Sequence, residues 1–200
     1  ELNTEKLLDS TLIIITAKHG QSPVDTSRYV RDGSDDPATL LSSDLAPSEN
    51  SAIGPTEDDV ALLWLANSSP SNVASAVSTL ESMSPPSNNI AGIGQIFSGN
   101  SIGLFYDPTD SRAPDILITP NIGVTYSNSK KKQAEHGGFA HDDTNVMLLV
   151  SNPDFVQNTQ SMPVQTAQVA PTILTALRLK PDKLDAVQIE GTSLLPGLDF

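Results

Sequence analysis

An apolar, β-branched segment that leads into a histidine–glycine pair is the feature that most restricts how this chain folds. Residues 11–15 read Thr-Leu-Ile-Ile-Ile, and His19 and Gly20 follow four residues later. A continuous apolar run of this length, from residue 12 to residue 16, is typical of a strand that is buried on both faces. Histidines at strand ends, beside glycines that allow close backbone approach, are typical of α/β hydrolytic sites. The segment therefore predicts an α/β domain with His19 where a buried strand gives way to a loop.

A second glycine-flanked histidine loop precedes another apolar segment. Residues 135–143 read Glu-His-Gly-Gly-Phe-Ala-His-Asp-Asp, and the apolar run 145–150 follows. The two loops together contain all three histidines of the protein, and imidazole is the commonest metal ligand. We expect strands at 12–15 and 146–150 to share one sheet. His19 and His136 would then lie within roughly 15 Å of each other, the span allowed by a two-metal site.

The remaining elements follow from hydrophobic periodicity and turn chemistry. Apolar residues of segment 71–83 recur at helical spacing, and Ser71 can cap this helix. A closing helix over 165–179 should hold Pro171 in its first turn, since an interior proline costs ~3 kcal/mol. Residues 23–51, rich in Asp, Ser and Pro, predict a surface loop with a short helix. Strands are predicted at residues 102–106, 115–118 and 146–150.

Composition excludes several classes of protein. The chain of 200 residues suits one domain and carries 11 Lys+Arg against 24 Asp+Glu, a formal charge of −13. This acidity argues against binding duplex nucleic acid or anionic membranes. There is no apolar run near 18 residues, so we expect no membrane span. The absence of cysteine excludes disulfides and thiolate zinc sites. Abundant Ser, Pro and Asn with few Lys favours an extracellular location.

The ordered motifs resemble the alkaline phosphatase-like superfamily, specifically its type I phosphodiesterase/nucleotide pyrophosphatase branch. In that family a strand ends in Asp-His-Gly and a later loop carries His-Gly, with each histidine binding one of two zinc ions. The resemblance runs from about residue 10 to the C-terminus and includes three further stretches, at residues 107–124, 169–174 and 190–197. It implies a mixed, mostly parallel sheet flanked by helices, with long loops.

The resemblance decides one ambiguous segment. Residues 60–65 read Val-Ala-Leu-Leu-Trp-Leu, and Thr56 with Asp59 would form a capping box if the run were helical. The short run and the family pattern favour a strand, with Trp64 as a core residue.

Applied residue by residue, the resemblance implies a phosphate-ester hydrolase. His19 and His136 become zinc ligands, and His141 is assigned to the substrate, although it would equally anchor its loop against Asp142 or Asp143. The cofactor implied is a divalent metal, zinc by the family pattern, in the complete protein. The substrate implied is a phosphodiester or nucleotide-type phosphate ester.

Two departures from the family pattern bear on activity. Lys18 stands where the family has the aspartate ligand, and an ammonium cannot ligate a metal. We assign Lys18 a catalytic, electrostatic role as a partial substitute for the missing positive charge; a loop residue pointing to solvent is the alternative. The family's nucleophile and other acidic ligands precede the strand that opens this chain. Residues 1–200 therefore read as a single α/β domain, the C-terminal part of a larger enzyme whose N-terminal half is expected as a partner.

A second class of function competes with hydrolysis. A catalytically incomplete, secreted fragment that acts by surface recognition would also retain the histidines. Lys18 and the lack of an identifiable nucleophile favour this alternative for the chain on its own.

Overall fold

The computed structural model describes residues 1–30, 33–45, 54–198 and 200, which divide into two units. The first unit comprises Glu1–Lys18 and Val146–Phe200, and the second comprises His19–Asn145. The strands are β1 (Ile13–Thr16), β2 (Ser22–Pro23), β3 (Thr56–Glu57), β4 (Ala61–Leu63), β5 (Ile93–Ser98), β6 (Ile116–Pro120), β7 (Ala134–Glu135) and β8 (Leu148–Ser151). The α-helices are α1 (Pro37–Leu40), α2 (Pro70–Ser82), α3 (His141–Thr144), α4 (Val169–Ala176) and α5 (Asp185–Glu190). Four 3-10 segments cover Leu8–Ser10, Gly99–Leu104, Thr166–Gln168 and Pro181–Lys183.

The second unit is built on a four-stranded antiparallel sheet in the order β3-β4-β6-β5. Strand β6 is central, and Ile116, Leu117 and Ile118 are each fully buried. Consecutive apolar residues are required there because both faces of the strand are covered. The predicted strands at 60–65 and 115–118 are confirmed as β4 and β6, and the capping-box alternative at Thr56 is wrong.

Helix α2 closes the core of the same unit. Its predicted range is confirmed to within a residue at each end, but the N-cap is Ser69, whose Oγ accepts from the Asn72 backbone N–H at 3.4 Å, and not Ser71. Pro70 occupies the first helical position, where a missing N–H is harmless. Leu80 is fully buried in the core cluster that also includes Leu63 and Tyr126.

The region before β6 differs from the sequence prediction. Residues 102–106 were expected to form a strand, but the structure has a 3-10 helix over Gly99–Leu104 and places the strand earlier, at β5. Ser98 N donates to Ser101 Oγ, and Ser101 Oγ donates to the Ser98 carbonyl, both at 2.8 Å. Side-chain bonds of this kind compete with a sheet ladder, so they turn the chain at the end of β5.

The short helix predicted within residues 23–51 is α1, with Asp36 as its N-cap. The Asp36 Oδ1 accepts from the Thr39 backbone N–H at 2.8 Å. Residues 31, 32 and 46–51 of that predicted loop lie outside the described residues.

The first unit contains the strand that opens the chain. Strand β1 pairs with β8 in antiparallel register, from Ile13 opposite Ser151 to Thr16 opposite Leu148, so the expected shared sheet is confirmed. Burial on both faces is wrong, because the paired Ile15 and Leu149 are 48% and 45% exposed. Helix α4 is shorter than the predicted closing helix and does hold Pro171 in its first turn.

The predicted mostly parallel sheet is wrong. Every pairing between the strands named above is antiparallel, in small sheets of two or four strands. Across the described ranges, no helix is both long enough and apolar enough to cross a membrane.

Candidate functional site

A two-residue antiparallel ribbon brings the two histidine loops of the second unit together. Strand β2 begins three residues after His19, and β7 ends at the residue directly before His136. The register pairs Ser22 with Glu135 and Pro23 with Ala134. Because antiparallel strands run in opposite directions, the residue before β2 and the residue after β7 extend from the same end of the ribbon. This places the segment carrying His19 beside the segment carrying His136.

The two imidazole rings stack on each other. Their centroids are 4.0 Å apart with an interplanar angle of 29°, well inside the roughly 15 Å span expected from sequence. The His19 Nδ1 lies 2.7 Å from the Gly20 carbonyl oxygen. A carbonyl oxygen only accepts, so Nδ1 is the donor in this contact and Nε2 is the ring nitrogen that the contact leaves available. Fixing one ring nitrogen by a backbone carbonyl is the usual way that a metal-binding imidazole is oriented.

Gly20 allows the closest approach between the two loops. Its N–H donates to the Asp143 carbonyl at 2.6 Å. An added Cβ at Gly20 would lie 1.8 Å from the Asp142 carbonyl oxygen, which no real contact permits. A glycine is therefore required at this point because backbone passes directly over backbone.

A pair of buried carboxylates lies beneath the second loop. Asp59 and Asp143 are 9% and 4% exposed, and Ser22 Oγ donates to Asp143 Oδ2 at 2.8 Å. Burial, together with the charges of Asp143 and Asp58, raises the pKa of Asp59 to about 7. Gly138 packs against both carboxylates, since a Cβ there would meet Asp143 Oδ2 at 2.6 Å and Asp59 Cβ at 3.0 Å. The two carboxylates therefore lie where three segments meet: the β3–β4 connection, the segment that follows His19 and the loop that follows His136.

A second charged group surrounds His136. Asp58, Glu135 and His136 each offer a ligand atom, and these atoms all lie within 4.8 Å of one another. The Lys132 ammonium contacts the Glu135 carboxylate and lies 3.4 Å from Asp58 Oδ1. Nitrogen and oxygen donors of these types suit zinc, so the residues present are chemically suited to the metal that the resemblance implies.

The other two predicted site residues occupy exposed positions. Asn145 Nδ2 donates to His141 Nε2 at 2.9 Å, and His141 Nδ1 lies 3.7 Å from Asp142 Oδ1. The His141 side chain is 80% exposed. Lys18 is exposed at the end of the first unit. The structure brings together His19 and His136, whereas the described side-chain partners of His141 are Asn145 and Asp142.

Sequence reasoning missed three carboxylates of the site as functional candidates: Asp58, Asp59 and Glu135. Asp58 and Asp59 precede β4 and lie far along the chain from Glu135 and His136, so no local spacing connects them. The signal available was Glu135 directly before His136, an acid beside a histidine whose depth of burial the sequence does not show.

Comparisons with solved structures reveal the fold. Human ectonucleotide pyrophosphatase/phosphodiesterase 5 superposes with a TM-score of 0.58 at 16% sequence identity, covering 90% of this chain and 44% of that chain. The murine protein gives a TM-score of 0.58 at 15% identity with the same coverage. An inactive variant of the murine protein in complex with AMP gives the same values.

The chain shares its fold with the part of these ectonucleotide pyrophosphatase/phosphodiesterase structures that it covers. The resemblance carried by the histidine loops is therefore confirmed at the level of fold. The chain spans 44% of the length of these structures. No protein-family model and no curated protein sequence matches.

Proposed function

We propose that this pyrophosphatase/phosphodiesterase fold contributes the His19–His136 part of a metal-dependent site that hydrolyses phosphate esters within a larger parent enzyme. The observation that carries the proposal is the stacked pair of imidazoles at 4.0 Å. Because the two rings are in contact, each histidine can hold one ion of a two-metal site, whose ions lie ~4 Å apart. The murine neighbour is described in complex with AMP, a nucleotide, which supports a nucleotide-type phosphate ester as substrate.

Three histidines, Lys18 and the Gly20 carbonyl receive roles under this proposal. His19 and His136 would hold divalent metal, zinc by donor type, which supplies polarisation of a phosphoryl oxygen and a lowered hydroxyl pKa. The Gly20 carbonyl keeps His19 in the tautomer with a free Nε2. Lys18 would donate to a phosphoryl oxygen. His141 would contact the substrate, which requires its Nε2 to exchange Asn145 for the substrate.

The remaining catalytic groups are assigned to the part of the parent enzyme beyond these 200 residues. Catalytic zinc sites use three protein ligands and an open position, and the histidine pair alone does not supply that number for two ions. The nucleophile and further ligands would come from a preceding N-terminal half. We assign the parent an extracellular location, in line with the composition.

The test uses the complete parent enzyme and a chromogenic phosphodiester. Chelation should remove turnover and zinc should restore it. His136→Ala should lower kcat/KM on the order of 100-fold, at the upper end of the range for a metal site's supporting groups. Lys131→Ala, an exposed neighbour in the same segment, is the control and should keep full turnover. Undiminished activity in the chelated enzyme would contradict a metal role. Full activity of residues 1–200 alone would show that the nucleophile lies within this chain and not in a preceding half.

Lys18 gives a separate prediction. Lys18→Ala in the parent enzyme should raise the KM for the phosphodiester and lower kcat by about tenfold, because one positive charge near the phosphoryl oxygens is lost. Lys18→Asp should increase the number of zinc ions bound, measured by elemental analysis, since it restores a carboxylate where the family has one. Unchanged kinetics in Lys18→Ala and an unchanged number of bound zinc ions in Lys18→Asp would show that Lys18 is a loop residue that points to solvent.

A second function class, surface recognition, is favoured by apolar exposure in the first unit. Ile15 and Leu149 pair across β1 and β8 and are both about half exposed, and Met147 is 63% exposed. Such exposure is typical of a face that another protein covers. Purification of the natural material without a second chain, with no turnover, would favour this class over hydrolysis.

A further inference from the structure

The charge balance around His136 is uneven. Four carboxylates lie close together here. Asp58 is near Glu135, and Asp59 interacts with both Asp143 and Asp58. Among the residues that the structure describes, Lys132 is the one lysine or arginine in contact with this group. Asp59 Oδ2 and Asp143 Oδ1 are buried without a hydrogen-bond partner. Buried carboxylates in excess of cations are destabilising unless a proton or a further positive charge is bound.

Lys132 is positioned to be exchanged. The Lys132 side chain is 33% exposed and the Asp58 side chain 31% exposed, whereas the Glu135 side chain is only 6% exposed. A long, flexible lysine at the rim can swing into solvent, because its ammonium is readily hydrated. The Glu135 carboxylate cannot follow it, since its own backbone is held in the β2–β7 ribbon.

The donor atoms that remain form a cation site. The ligand atoms of Asp58, Glu135 and His136 lie within 4.8 Å of one another, somewhat wider than a bound cation with ~2.1 Å bonds allows. Rotation of the partly exposed Asp58 side chain would shorten the distances between the three ligand atoms. Two carboxylates and one imidazole provide the hard and intermediate donors that Zn²⁺ and Mn²⁺ accept.

We propose that Asp58, Glu135 and His136 form a divalent-cation site within this chain, and that Lys132 is the exchangeable counter-cation that occupies it when no metal is bound. The proposal rests on the proposed function in giving His136 a metal, and it adds the carboxylate ligands and the competing lysine. Under this proposal, the cation that His136 binds has all three of its protein ligands within this chain.

The experiment is a calorimetric titration of the chelator-stripped chain, residues 1–200, with ZnCl₂ at neutral pH. Glu135→Gln and Asp58→Asn should each weaken zinc binding by more than about tenfold, since even outer-shell partners are worth that much. Lys132→Met should tighten binding on the order of tenfold, because one competing charge is removed from a partly exposed site. Lys131→Met removes the same charge from an exposed neighbour and should leave the affinity unchanged.

Two results would overturn the proposal. One is wild-type zinc affinity in Glu135→Gln; the other is equal affinity in Lys132→Met and Lys131→Met. Circular dichroism with and without zinc shows whether Lys132→Met folds. A variant that folds only in zinc supports exchange, whereas one unfolded under both conditions makes Lys132 a structural residue and contradicts it.

The outcomes separate this site from the proposed hydrolysis. Zinc binding that depends on His19 and His136 but not on Asp58 or Glu135 would leave the proposed function standing and refute the carboxylate ligands. Zinc binding that depends on Asp58 and Glu135, in a parent enzyme without phosphodiesterase activity, would support the carboxylate ligands and refute the proposed function.

Discussion

Gly20→Ala is expected to destabilise the second unit by about 3 kcal/mol or more, the upper range for forcing extra atoms into a packed position. The new Cβ would lie 1.8 Å from the Asp142 carbonyl oxygen, and that oxygen belongs to backbone that no rotamer change can move aside. Relieving the clash separates the segments that carry His19 and His136. Zinc affinity should therefore fall together with stability.

Chemical denaturation of the chain, residues 1–200, measures this loss. Gly103→Ala is the matched control, because the nearest atom to its added Cβ is 3.9 Å away, an ordinary contact. The control should leave the free energy of unfolding within ~0.5 kcal/mol of the wild type, as most unobstructed substitutions do. Equal stability of the two variants would show that the two histidine loops do not pack as described.

Asp59→Asn is expected to stabilise the chain at pH 8 by about 4 kcal/mol and to change little at about pH 4, the difference that the raised pKa implies. The pKa of Asp59 is raised from 3.8 to about 7 in the folded chain by burial and by the charges of Asp143 and Asp58. Between about pH 4 and pH 7 the folded chain therefore binds more protons than the unfolded chain. The free energy of unfolding falls as pH rises through that window, and asparagine removes the fall because it has no proton to lose.

Denaturant titrations at about pH 4, 6 and 8, in chelator, measure the slope. Asp142→Asn removes an exposed carboxylate from the adjacent loop and should leave the pH dependence of stability unaltered. The amide that Asp59→Asn introduces can also donate a hydrogen bond to Asp143, which a carboxylate pair cannot do without a proton. A wild-type chain whose stability is flat across the whole range would mean that the buried carboxylates do not interact.

Predictions from sequence succeeded where the pattern is local. The apolar stripe of α2 and the unbroken apolar run of β6 reflect which faces are covered, so each was placed within a few residues. The 3-10 helix at Gly99–Leu104 was missed because two serine side chains redirect an apolar segment that has ordinary strand composition.

The candidate site was predictable in part. The histidine–glycine pairs and their order along the chain were enough to predict that His19 and His136 meet, and the ring contact at 4.0 Å confirms it. Asp58 and Asp59 were not predictable as neighbours of Glu135 and Asp143. Carboxylates before a short strand have the composition of a solvated turn, and their burial depends on residues that are distant along the chain.

Three properties could be read from the amino-acid order alone: the apolar periodicity of the elements, the glycines beside the histidines, and the acidic charge of the chain. They belong to neighbouring residues, and they persist whatever the chain packs against. Strand direction, the exposure of Ile15 and Leu149, and the pairing of Asp59 with Asp143 emerged only in the folded chain. Those features depend on desolvation and register between distant segments, because a carboxylate acquires an unusual pKa only when the rest of the fold removes its water.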